Sequence, residues 1–182
     1  MIDPLSIWKS EFDNLPKDAP TVIQGMQNLA NFVDSRVSGK LMLGPPIIGS
    51  SSYTFAKAVF VAPLIVLQAT VDPVSGKIAM ATAWQTAALA SIMTLSAGAS
   101  VGAPTPATTF AAPPLCVVNP ASLAAAYASL LANLLALVPT KEKSKIPDLF
   151  FSAFSSLTYI VSGINMIVPT PTPLIVPVNP VM

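Results

Sequence analysis

The chain has 182 residues, of which 53% are hydrophobic and 9% charged, with a net charge of +1 and no histidine. The length suits one domain with a core of its own, and the charged fraction, against about 25% in an ordinary soluble domain, leaves little from which to build a solvated surface. Without imidazole, Cys/His zinc sites and the Ser-His-Asp and Cys-His nucleophile arrangements are excluded.

No basic cluster exceeds Lys141, Lys143 and Lys145, so the sequence offers no footprint for direct nucleic-acid binding. Only Asp72 and Lys77 carry charge between Lys57 and Lys141. A free monomer built this way exposes apolar patches, and such patches are normally covered by other subunits or by a membrane. The single Cys116 sits in an apolar context and reads as a buried, inert thiol. The N-terminal residues include early acidic side chains and Pro4 and lack a continuous apolar run, which predicts synthesis in the cytoplasm rather than export.

Nineteen prolines cut the chain into helix-sized pieces. Residues 1–20 are expected to be an extended N-terminal segment. From Thr21 to Arg36 the apolar residues Val22, Met26, Leu29, Phe32 and Val33 recur at helical spacing and predict an amphipathic helix. Ser38 to Ser52 is rich in Gly, Pro and Ser and reads as a loop. Tyr53 to Val71 is apolar around most of its circumference and reads as helix, with Pro63 and Ile65-Val66 leaving a bent helix or a strand as the alternatives. Asp72 to Gly76 reads as a turn.

Lys77 to Ala97 is rich in Ala, Ser and Thr around Trp84, Leu89, Ile92, Met93 and Leu95, which predicts a central helix packed on several sides. The proline-rich stretch from about 103 to 120 is too rich in proline for regular helix and reads as a long ordered loop or an extended arm. Asn119-Pro120 then gives a strong helix start, because the asparagine side chain can accept from free amides and proline at the first helical position loses no needed donor. That predicts a helix from Ala121 to Val138, stopped by Pro139 and followed by a charged, solvated turn containing Lys141, Glu142, Lys143 and Lys145. A last helix is expected from Pro147-Asp148 through Phe150, Phe151, Phe154, Leu157, Ile160 and Val161 to about Gly163.

Residues 168–182 form an extended proline-rich arm, because prolines at 169, 171 and 173 hold the backbone open and remove amide donors. Its apolar Leu174, Ile175, Val176, Val178 and Val181 require cover, either by folding back over the chain's own core or by docking on a neighbouring subunit. The expected fold is therefore mainly α: four to five helices around one apolar core within residues 1–167, with long proline-rich loops and the C-terminal arm.

Candidate chemistry is sparse. Asp3, Glu11, Asp13, Asp18 and Asp34 lie among Lys9, Lys17 and Arg36 and read as a charge-balanced solvated face rather than a catalytic carboxylate pair. Gly98-x-Ser100-x-Gly102 matches the spacing of a nucleophile elbow, but no base is present to activate the serine. Trp8 and Trp84 read as packing anchors. No catalytic, cofactor-binding or metal-binding residue is expected, and no enzyme activity.

Four segments near 53–71, 77–97, 121–138 and 148–167 approach the roughly 20 residues needed to cross a bilayer. This supports a competing reading as a small integral membrane protein with about four spanning helices, a channel or holin-like lesion former. Against it, the segments are interrupted by Pro63, Gln68, Gln85 and Asn133 and lack interfacial anchors. The order NLANFVDSRVSGKLML, AGASVGAPTPATTF, NPASLAAA and FSSLTYIVSG, followed by a proline-rich tail, resembles small virion proteins of contractile-tailed bacteriophages. The resemblance implies a tail, baseplate or neck component present in several copies, with other structural subunits and copies of itself as partners.

Overall fold

The computed structural model describes residues 3–16, 21–43, 47–48, 51–66, 72–95, 100–101, 108–109, 115–140, 142–165, 172–178 and 180–181. The fold is mainly α, as expected, with six α-helices rather than four or five among the described residues. The additional helix is α1 (Leu5–Asp13), in the segment expected to be extended. Pro4 sits just outside its first turn, where a missing donor costs nothing. Leu5, Trp8 and Phe12 then recur on one face, and Trp8 is fully buried. Three ion pairs hold this region down: Lys9 to Asp148 at 2.9 Å, Asp3 to Arg36 at 3.1 Å, and Asp3 to Lys40.

Helix α2 (Val22–Val37) begins where the pattern places it, with the Thr21 side chain accepting from the Gln24 amide. It ends at Ser38 and Gly39, whose φ of 71° favours glycine. The expected loop at 38–52 instead contains β1 (Met42–Leu43), β2 (Ile47–Ile48) and the start of β3 (Ser51–Thr54). Tyr53 and Thr54 are therefore strand, and α3 starts only at Lys57, running to Val66 with Pro63 inside it. Asp72 is not in a free turn. Its carboxylate accepts from the Val74 and Ser75 amides and Pro73 occupies the first helical position, so Asp-Pro starts α4 (Pro73–Ala90).

Helix α4 stops seven residues short of its expected end. The Ser91 hydroxyl donates to Ala87 O and accepts from the Ala56 amide, and the chain turns into β4 (Ile92–Leu95), paired antiparallel with β3. The expected loop at 103–120 carries β6 (Thr108–Thr109) and β7 (Leu115–Val118); β5 (Ser100–Val101) lies just before it. Strands β2 and β6 flank β5 in a small antiparallel sheet. Helix α5 (Pro120–Thr140) agrees closely with expectation, down to the Asn119 side chain accepting from the Ala121 amide.

A 3-10 turn (Lys143–Lys145) leads into α6 (Ile146–Ser155), which ends eight residues before its expected limit. Ile160 and Val161 belong instead to β8 (Tyr159–Asn165), the middle strand between β7 and β9 (Thr172–Val178). The last pair of described residues, β10 (Pro180–Val181), lies antiparallel to β1. The described residues of the C-terminal arm, 172–178 and 180–181, are thus extended, as expected, and pair with their own chain, while 168–171, 179 and 182 lie outside the described residues.

Each helix from α2 to α6 packs against the next in sequence, and α1 contacts both α6 and α2, so the six close a ring. Phe154 lies at its centre, with ring centroids 5.6 Å from Trp84, 5.7 Å from Phe55, and 6.4 Å from both Trp8 and Tyr53. The strands leave one end of this ring. The Phe55 amide donates to Ser38 Oγ at the end of α2, the Ala56 amide to Ser91 Oγ at the end of α4, and the Asn119 amide to Thr158 O just beyond α6. Helix ends and strand beginnings therefore meet on one level, forming a helical base and a β crown.

One buried polar contact ties two strands of the crown, β1 and β3, to each other. Ser51, buried in β3, accepts from the Leu43 amide at 2.7 Å. We expect Ser51→Ala to cost about 1–3 kcal/mol, because it leaves a buried amide without a partner. Chemical denaturation followed by circular dichroism measures this directly.

Candidate interaction surface

Helices α3, α4 and α5 are consecutive neighbours in the ring, and their outward faces make one wall. On α4 the core takes Met80, Ala81, Trp84, Ala87 and Ala88, which turns Ser75, Ile78, Thr82 and Leu89 outward. On α5 the core takes Leu123, Ala126, Leu130 and Leu134, which leaves Ala121, Ala125, Ala128, Ala132 and Ala136 along the opposite line. Ala58, Ala62, Pro63 and Val66 are exposed on α3. None of these residues is charged. The nearest charges lie at the ends of the wall: Lys57, bridged to Asp34 at 3.1 Å, and at the other end Asp72 and Lys77.

Six of the seven large apolar residues exposed among the described residues lie on this side chain-poor wall or the strands adjoining it: Val66, Val74, Ile78, Leu89, Ile92 and Val117. Val66 is 82% exposed, Leu89 64% and Ile92 60%, so these are open side chains rather than the edges of core residues. Between α3 and α4 runs an apolar groove of about 820 Å³, lined by Ala58, Ala62, Pro63, Ala79, Thr82 and Thr86 among others. The opposite side of the ring is different. Asp3, Lys9, Glu11, Asp13, Asp34, Arg36 and Lys40 all belong to the N-terminal segment, α1, α2 or the turn after it, which is the charge-balanced face expected from sequence.

The residues weighed from sequence for chemistry do not converge. Ser100 lies in β5 opposite Ile48 and Thr109, in a strand rather than a strand-to-helix turn, while Gly98 and Gly102 fall outside the described residues. Asp3 and Asp34 face cations rather than each other, and Asp18 and Lys141 also fall outside the described residues. Glu142, Lys143 and Lys145 are exposed. Trp8 and Trp84 are fully buried in the aromatic hub, so they pack as anchors. Among the described residues no group of three His, Cys, Asp or Glu side chains could hold a metal ion.

Sequence reasoning missed the groove and a buried pair of phenols. Tyr53 and Tyr159 meet edge-to-face with ring centroids 6.3 Å apart where the helical base meets the crown, and neither hydroxyl completes a hydrogen bond with protein. Burial pushes the Tyr53 phenol up to about 12 and holds Tyr159 well above its ordinary range. Cys116 on β7 is half-buried, and loss of hydration pushes its thiol up to about 12. Lys77 moves the other way: burial, with Lys143 nearby, lowers it from the ordinary lysine value.

These shifts give a signed pH dependence. Cys116, Tyr53 and Tyr159 titrate at lower pH in the unfolded chain than in the folded one, so the stability they contribute is intact below about pH 9 and falls as pH rises toward 12. Lys77 works in the opposite direction, since its folded form resists protonation and gains stability as pH rises toward 10.5. Three groups against one predict alkaline unfolding. Tyr53→Phe removes an unpartnered buried hydroxyl, so we expect it to raise stability at neutral pH by about 1 kcal/mol and to move the alkaline midpoint upward. A denaturation series across pH 7–12 reads both effects.

Among the described residues one helix, α5, is long and apolar enough to cross a membrane, where the sequence suggested four such segments. The other three each divide into a helix plus a strand: β3 with the 10-residue α3, the 18-residue but less apolar α4 with β4, and the 10-residue α6 with β8. The chain matches no protein-family model, no curated protein and no solved structure.

Proposed function

We propose that this chain is a non-catalytic structural subunit of a multi-protein assembly, and that the assembly is a phage particle in which it serves as a tail, baseplate or neck component. The observation that carries the reading is the uncharged wall of α3, α4 and α5. A surface with no charge, several open aliphatic side chains and a groove is costly to leave in water, and subunit cores are depleted in charge in the same way. The landmark strings that resemble small virion proteins supply the narrower identification. The charged α1 and α2 side supplies a solvated exterior once the wall is covered.

The competing reading is membrane insertion through α5. Its outward line is alanine, where lipid-facing helices favour Leu, Ile, Val and Phe, and three of its six leucines, Leu123, Leu130 and Leu134, are committed to the core. Fractionation of producing cells tests the two. We expect the chain in purified particles, and an Ala128→Glu variant to be lost from them while retaining its helical circular dichroism. Recovery in detergent-extracted membranes, without particles, overturns the proposal.

A further inference from the structure

The wall carries both a groove and a ridge, side by side. The groove lies between α3 and α4, and the ridge is the alanine line of the next helix, Ala121, Ala125, Ala128, Ala132 and Ala136. We infer that the wall is covered by a second copy of this chain, the alanine ridge of α5 on each copy seating in the α3/α4 groove of the other. This rests on the proposal above that the wall is an interface, and it names the partner.

The geometry is reciprocal. Because ridge and groove are offset by about one and a half helix spacings on a single surface, a two-fold axis running along the wall between them brings each over its counterpart, as an isologous contact requires. The ridge suits the groove: residues no longer than alanine let two helix backbones approach closely, and Ala58, Ala62 and Ala79 are equally small on the other side. Outside the ridge, Ile78, Val66 and Leu89 are exposed to cover the margins of the contact.

Charge makes the same selection. A two-fold contact sets each residue near its own copy or that of a neighbour, so a charged face tends to meet like charge. The ridge and groove carry none, whereas the α1 and α2 side is studded with them. Area also fits. Helices of 18 and 21 residues, α4 and α5, are roughly 30 Å long, and three helices set about 9 Å apart give a footprint on the order of 600 Å². The corrugated accessible surface over such a footprint is larger, close to the roughly 800 Å² that one partner contributes to a standard stable interface.

The test is light scattering coupled to size exclusion on the purified full chain, from micromolar to near-millimolar concentration. We expect twice the chain mass for the native sequence. Ala128→Glu on the ridge and Ala62→Glu in the groove should each weaken self-association by about a hundredfold or more, since each buries an unpaired carboxylate. Both positions are exposed within one copy, so helical circular dichroism should not change, and Glu11→Lys on the far side should leave the dimer intact. A native chain that stays monomeric, or a dimer that survives both glutamates, overturns the inference. If the chain is monomeric yet Ala128→Glu is lost from particles, the second copy is refuted and the structural role stands. A dimer sensitive to both glutamates, from a chain found in no particle, keeps the inference and refutes the role.

Discussion

Phe154→Ala is expected to lower the unfolding free energy by about 3–5 kcal/mol, the largest single effect in the molecule. The ring is fully buried at the centre of the helical base, and it meets Trp84 at 79°, Phe55 at 80° and Tyr53 at 74°, all edge-to-face. These partners come from α4, the segment after β3 and β3 itself, so a cavity at 154 loosens the base and its junction with the crown together. Edge-to-face geometry adds to the area term because the positive ring edge meets the negative face of its neighbour. Guanidinium denaturation followed by tryptophan fluorescence measures the loss. Leu89→Ala, at an open position on the wall, should change stability by less than about 0.5 kcal/mol. A Phe154 variant as stable as Leu89→Ala would show that the hub does not organise the core.

Removing residues 172–182 is expected to leave the helical signal in place and to send the chain into aggregates. The arm runs along β8 for seven paired residues, from Tyr159 opposite Val178 to Asn165 opposite Thr172, and then returns to β1. Pro173 and Pro177 face Ile164 and Ile160, four residues apart and so on one phase of the ladder. An antiparallel ladder that loses no bond to them places both in non-hydrogen-bonded pairs, with their ring nitrogens at the outer edge. There they remove two of the three donors that β9 would otherwise offer along that edge, and an edge without donors does not recruit further strands.

Truncation takes this cap away and bares the β8 edge, which carries Tyr159, Ile160, Val161 and Ile164 beside free backbone groups. Light scattering and a dye that reports cross-β structure measure the consequence. Gly163→Pro within the truncated chain should suppress it, because position 163 lies beyond the β7 pairing and its amide faces the vacated side. A truncated chain that stays monomeric without that proline would show that β9 is not what protects the edge. Fold-back of the arm, one of the two covers read from its composition, is thus what the structure contains; docking on a neighbour would need exchange of the same strand.

Composition and local chemistry alone determined a good part of this protein. The mainly helical class, α2 and α5 nearly to the residue, and the buried roles of Trp8 and Trp84 follow from period, capping side chains and size, which act within a few residues of each other. The same chemistry was present and misread at Asp72-Pro73, where the signature that starts α5 also starts α4. The stretch between Lys57 and Lys141, charged only at Asp72 and Lys77, already pointed to a surface in need of cover.

Tertiary structure decided the rest. Ile92 to Leu95 and Ile160 to Val161 continue apolar helical patterns, yet they are strands, because an apolar run of four to seven residues fits either state and the choice depends on partners far away in the chain. β4 finds β3 some forty residues earlier, and β8 finds β7 on one side and the arm on the other. Pro4 looked like a break and proved to be a helix entrance only once Trp8 had an aromatic hub to enter. The wall was equally out of reach, since which side of α4 is outside depends on where α3 and α5 pack, and a helix apolar all round carries no stripe to say so.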